Sequence, residues 1–175
     1  MTDDLDPHDA DDFPAFTRAL LAFMRQGPRR KPDPRVVQLI DESMPADLRA
    51  LLHTFASARG IAQIGEWRLD AKGLPAAVGL DPYFTDRIEG LDDELDPART
   101  LTIGNGRTSL VATWSPRWPQ AYLYELDPEY GTFKSQGTFD SLVEDTIANF
   151  RFAQGDGARL PDDVREIQRL AEEEL

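Results

Sequence analysis

Catalysis near neutral pH usually draws on histidine, on an activated cysteine, or on carboxylates close enough to perturb one another. This chain is poor in the first two, with two histidines and no cysteine in 175 residues. The absence of cysteine removes disulfides, thiolate zinc sites and thiol nucleophiles. His8 stands in an acidic N-terminal stretch. His53 follows Leu52 on a predicted helix, off its apolar stripe, where it reads as a half-exposed packing residue rather than a base. The carboxylates are the stronger candidates. Asp81, Asp86, Glu89, Asp92, Asp93, Glu94 and Asp96 crowd one segment with Pro82 and Pro97 near its ends, and such a group could hold a hard cation or share acid–base work. It lacks the glycine turn and oxygen spacing of a calcium loop. A solvated acidic loop, able to meet a cationic partner, is the simpler expectation. Gly104-Asn105-Gly106-Arg107 lacks the Lys-Ser/Thr and the following helix of a phosphate loop, so a hairpin turn explains it.

Aromatic residues are the second group with a reason to act. Trp114, Trp118, Tyr122, Tyr124 and Tyr130 lie close together in sequence, and several must alternate into a sheet core. Trp118 differs, because Pro116, Arg117 and Pro119 surround it and place it in a loop. A loop tryptophan beside an arginine suits a protein contact. The predicted contact residues are therefore Trp118, Arg117, Asp86, Glu89, Asp92, Asp93 and Glu94. No residue is assigned a catalytic, cofactor-binding or metal-binding role, and no cofactor is expected.

The net charge of -13 argues against nucleic acid or an anionic membrane as partner, because phosphate contacts need clustered Lys and Arg. A field of that sign suits a basic partner, or serves only solubility. A mimic of double-stranded DNA would need carboxylates spaced along one face, whereas here they gather in the N-terminal arm, one loop and the C-terminal tail. The first residues are acidic, unlike a signal peptide, and no apolar run approaches the roughly 18–20 residues that span a bilayer, so a cytoplasmic location is expected.

These residues need a scaffold, and the pattern supplies one. Residues 1–12 carry six Asp and read as a flexible acidic arm, with a single α+β domain over residues 13–175. Phe16, Leu20, Phe23 and Met24 recur at helical spacing until Gly27-Pro28. Arg29-Arg30-Lys31-Pro32-Asp33-Pro34 is read as a solvated basic connector to a short helix over Val36–Ile40. Pro45 suits the first turn of a third helix, whose Leu48, Leu51, Leu52 and Phe55 share a face while Asp47 and Arg49 stay wet. Gly60 is expected as its left-handed cap. Residues 61–69 predict a first strand, and residues 70–98 give no readable pattern. The runs at 100–103, 109–114 and 121–126, with a further strand near 132–134, predict an antiparallel meander. Thr138 caps a helix striped by Phe139, Leu142, Val143, Ile147 and Phe150, and residues 161–175 form a last helix.

The order of these elements resembles the SUKH superfamily, which contains fungal cell-wall-assembly regulators and bacterial immunity proteins. The resemblance covers residues 45–150. It rests on Leu48-Arg49-Ala50-Leu51-Leu52 leading to Ala58-Arg59-Gly60, then Leu101-Thr102-Ile103-Gly104-Asn105-Gly106, then Ala121-Tyr122-Leu123-Tyr124-Glu125-Leu126-Asp127, and finally Gly137-Thr138-Phe139-Asp140-Ser141-Leu142. Two departures stand out. Arg59-Gly60 takes the place of the family's usual Asn-Gly, and residues 67–97 align with nothing in it. The resemblance implies a curved antiparallel sheet backed by helices and a non-enzymatic protein binder. Its most concrete form is a bacterial immunity protein that neutralises a cognate toxin, monomeric or weakly dimeric. The acidity would suit a basic, nuclease-type toxin. Two alternatives remain: a housekeeping scaffold or regulator of the same fold, and a metal-dependent enzyme using the carboxylates of residues 81–96.

Overall fold

The structure, a computed structural model, describes residues 12–58, 60–70, 82–91 and 95–173. Residues 1–11 of the predicted acidic arm lie outside this range, as do Asp92, Asp93 and Glu94. Helices α1 (Ala15–Arg25), α2 (Pro34–Val37) and α3 (Ala46–Ser57) come first, followed by strands β1 (Ala62–Ile64) and β2 (Trp67–Leu69). A short helix α4 (Pro82–Thr85) precedes β3 (Thr100–Asn105), β4 (Ser109–Thr113), β5 (Tyr122–Asp127) and β6 (Thr132–Gly137). Helices α5 (Phe139–Gln154) and α6 (Asp162–Glu173) close the described chain. The strands pair antiparallel in sequence order, β1 to β6, so the α+β meander packed against helices is observed.

Burial explains why apolar residues do not alternate strictly along the strands. One sheet face carries Ala62, Ile64, Trp67, Leu69, Ile103, Leu110, Ala112 and Leu123 into a core shared with α1, α3, α5 and α6. On the other face Val111 and Leu126 pack beneath Ile88, Leu91 and Leu95, with Tyr124 and Phe133 at the margin. Strand β4 is thus covered on both sides, and Leu110-Val111-Ala112 is continuously apolar for that reason.

Three local expectations change. Residues 61–69 form two three-residue strands, paired Ala62 to Leu69 and Ile64 to Trp67 around a Gly65-Glu66 turn. Pro45 is the cap residue just before α3 rather than part of its first turn. Gly60 is no left-handed cap. Its φ lies outside that region, and α3 instead ends at Ala58 in extended conformation. Glycine is needed at position 60 because a Cβ there would sit 2.0 Å from the Met24 carbonyl oxygen. In the β3–β4 turn, Gly106 is likewise required by close approach, its Cβ position being 2.2 Å from the Glu66 carbonyl oxygen.

The basic connector does structural work as well as meeting solvent. Arg29 bridges to Ala58, and the Arg30 guanidinium donates to the carbonyls of Phe55 (2.7 Å) and Ala56 (3.3 Å). These are last-turn carbonyls of α3, which have no partner within the helix, and a cation suits that end of the dipole. Arg30→Ala should therefore cost about 1–2 kcal/mol in a denaturant titration, and Lys31→Ala, on an exposed neighbour, close to nothing. Equal effects at the two positions would contradict this capping role.

Helix α5 begins in a reciprocal box: Ser141 N–H donates to the Thr138 hydroxyl and Thr138 N–H donates to the Ser141 hydroxyl. Asp140, in the first turn where the helix dipole favours an anion, also accepts from Phe16 N–H at 2.9 Å and so ties α5 to the first turn of α1. Among the described residues, no helix is long and apolar enough to cross a membrane.

Candidate functional site

The loop joining β4 to β5 is held at both ends before it reaches solvent. At its start Trp114 is buried, and its indole N–H donates to the Ser43 hydroxyl at 3.3 Å. At its end the backbone N–H of Ala121 donates to both carboxylate oxygens of Asp47, at 3.1 and 3.2 Å. Within the loop Trp118 N–H donates to the Ser115 carbonyl at 3.0 Å. The backbone therefore has defined partners while the tip remains exposed.

Trp118 is 41% exposed and Tyr122, the first residue of β5, is 38% exposed. Their rings meet edge to face, with centroids 5.2 Å apart and planes at 87°. Such a contact is worth about 0.5–1.5 kcal/mol beyond burial and restrains both rings. Arg117 beside them is exposed. Sequence reasoning placed Trp118 and Arg117 in a loop, as found. It missed the pairing with Tyr122, although strand alternation in β5 places Tyr122 on the same face as Tyr124 and Leu126.

Asp47 corrects the expectation of a wet residue. It is 3% exposed, at the start of α3, where Leu48 N–H also donates to it at 2.7 Å. Burial pushes its carboxyl up to about 6, against the opposing pull of the Ala121 and Leu48 N–H groups. It is buried because the loop, 74 residues further along the chain, folds over the helix start.

Asp86 and Glu89 are exposed, on the segment whose Ile88 and Leu91 cover the second sheet face. The Arg87 carbonyl oxygen approaches Gly131, just beyond the C-terminal end of β5, whereas Tyr122 and Trp118 lie at the N-terminal end of that strand. The structure thus brings Trp118 together with Tyr122 and places Asp86 and Glu89 toward the opposite end of β5. Asp92, Asp93 and Glu94 fall outside the described residues. His53 is half-buried, as expected. Among the described residues no three His, Cys, Asp or Glu side chains converge to hold a metal ion. No protein-family model, curated protein or solved structure matches the chain.

Proposed function

We propose that this chain works by binding another protein, with Trp118 and Tyr122 as the anchor of the contact. One observation carries the reading: two half-exposed aromatic rings meet edge to face, Trp118 on a loop whose ends are fixed by Asp47 and Ser43 and Tyr122 at the start of the strand that follows it. Tryptophan and tyrosine give large contact area for little loss of side-chain freedom, and an anchored loop reduces the ordering cost on binding. Arg117 adds a donor of the kind enriched at binding hot spots.

The charge of -13 favours a partner with basic surface, through faster encounter and a salt-sensitive affinity. The resemblance of residues 45–150 to the SUKH superfamily supports a more specific role, that of a bacterial immunity protein occluding a basic toxin. A housekeeping regulator of the same fold would use the same contact, and the identity of the captured partner separates the two.

Trp118→Ala should weaken partner binding by about 2 kcal/mol, roughly 30-fold in Kd, measured by calorimetry once the partner is in hand. Its thermal unfolding midpoint should stay close to that of the parent chain. A large drop in that midpoint would make Trp118 a structural residue and defeat the proposal.

A further inference from the structure

A concave surface lies between the β1–β2 turn and α5, and no residue of the β4–β5 loop lines it. It encloses about 360 Å³, within the size range of ligand pockets. Trp67, Leu142 and Phe150 give it apolar walls, while Glu66, Asp145 and Asn149 contribute polar groups. Neither Glu66 nor Asp145 is ion-paired with a described residue, although arginines elsewhere in the molecule are paired with carboxylates. Nearby, burial and the adjacent Glu66 carboxylate hold the Glu125 carboxyl above its usual range, with Lys134 opposing, which marks a local excess of negative charge.

We infer that this cavity receives one arginine or lysine side chain of the protein partner, its stem against Trp67 and Leu142 and its cationic head between Glu66 and Asp145. The inference rests on the reading that the chain binds a protein, and it names what a second contact recognises. A long basic side chain has this composition, an apolar stem ending in a charge. A bare metal ion would find two carboxylates and apolar walls, which is a poor oxygen cage. Helix α5 adds a reason to expect a macromolecule rather than a free amine. Asp145, Asn149 and Phe152 follow at i, i+4 and i+7 on one stripe, and Phe152 is 93% exposed. An exposed phenyl ring in line with the two lining residues gives a docked chain apolar surface to cover. A small amine filling the cavity would leave it in water.

The test needs no partner. Nα-acetyl-arginine amide and its neutral isostere Nα-acetyl-citrulline amide are titrated into the full chain at low salt, followed by amide and indole NMR shifts. Shifts at Gly65, the Trp67 indole and Asn149 with the arginine probe alone are expected. Affinity should fall about tenfold in Glu66→Gln and in Asp145→Asn, as for loss of a charge-assisted contact. Equal responses to both probes, no response, or indifference to both variants would overturn the inference. So would a free polyamine binding more tightly than the capped amide by about tenfold or more, which would assign the cavity to a small molecule. Trp118→Ala should leave this titration unchanged, so loss of probe binding and loss of protein binding report separately on the two proposals.

Discussion

Gly60→Ala should destabilise the fold by about 3 kcal/mol, at the top of the range for overpacking. The added methyl would stand 2.0 Å from the Met24 carbonyl oxygen and 2.7 Å from its carbon, both backbone atoms that no rotamer change can move. Met24 is fully buried near the end of α1, and its carbonyl accepts from the backbone N–H of Gly27. Relief therefore requires α1 and the segment entering β1 to separate, which opens the core between them. Gly157→Ala is the control, since nothing lies within 4 Å of a Cβ there and its φ is ordinary. That change should be neutral or slightly stabilising, because alanine restricts the unfolded chain. A Gly60→Ala chain that unfolds at the parent's denaturant midpoint would show that α1 and this segment are not in contact.

The second large effect belongs to Asp47 and carries a sign that depends on pH. Its carboxyl titrates near 6 when folded and near 3.8 when unfolded, so the folded state binds more protons between those values. Stability from this group is complete below about pH 4 and is lost as pH rises through 6. The loss amounts to about 3 kcal/mol, taking two units at 1.36 kcal/mol each. Asp47→Asn keeps an oxygen to accept from Ala121 and Leu48 without the charge. It should match the parent chain near pH 4 and exceed its stability by about 3 kcal/mol above pH 7. Asp47→Ala leaves the buried Ala121 N–H without its acceptor and should fall about 2 kcal/mol below the asparagine variant at every pH. An asparagine variant no more stable than the parent at pH 7.5 would contradict the burial argument.

Most of the fold was legible because its signals are local. Strands β3, β4 and β5 are β-branched and aromatic runs separated by turn residues, and helix α5 announces itself through Thr138 and its apolar stripe. What escaped was set by contacts distant in sequence. Asp47 looks wet on a helical wheel, and only the β4–β5 loop folding over it makes it buried. Tyr124 and Tyr122 share a parity in β5, yet Tyr124 is packed against the second cluster and Tyr122 is exposed. The difference comes from Ile88, Leu91 and Leu95, in the segment whose prolines and glycines hid any periodicity. Gly60 was read through the commonest use of a glycine after a helix, when its reason is the approach of the α1 backbone. The hairpin of β1 and β2 was missed because strands of three residues are too short to show a period. The loop position of Trp118 was legible because its flanking prolines exclude it from a strand, a signal that depends on nothing remote.

The most direct test of the central claim is parallel affinity capture from native lysate with the parent chain and with Trp118→Ala, at low and at high salt, read by mass spectrometry. A basic protein retained by the parent at low salt, released at high salt and missing from the Trp118→Ala capture is the predicted result. Identical captures by the two chains, or none by either, would contradict the claim that this molecule works as a protein binder through Trp118.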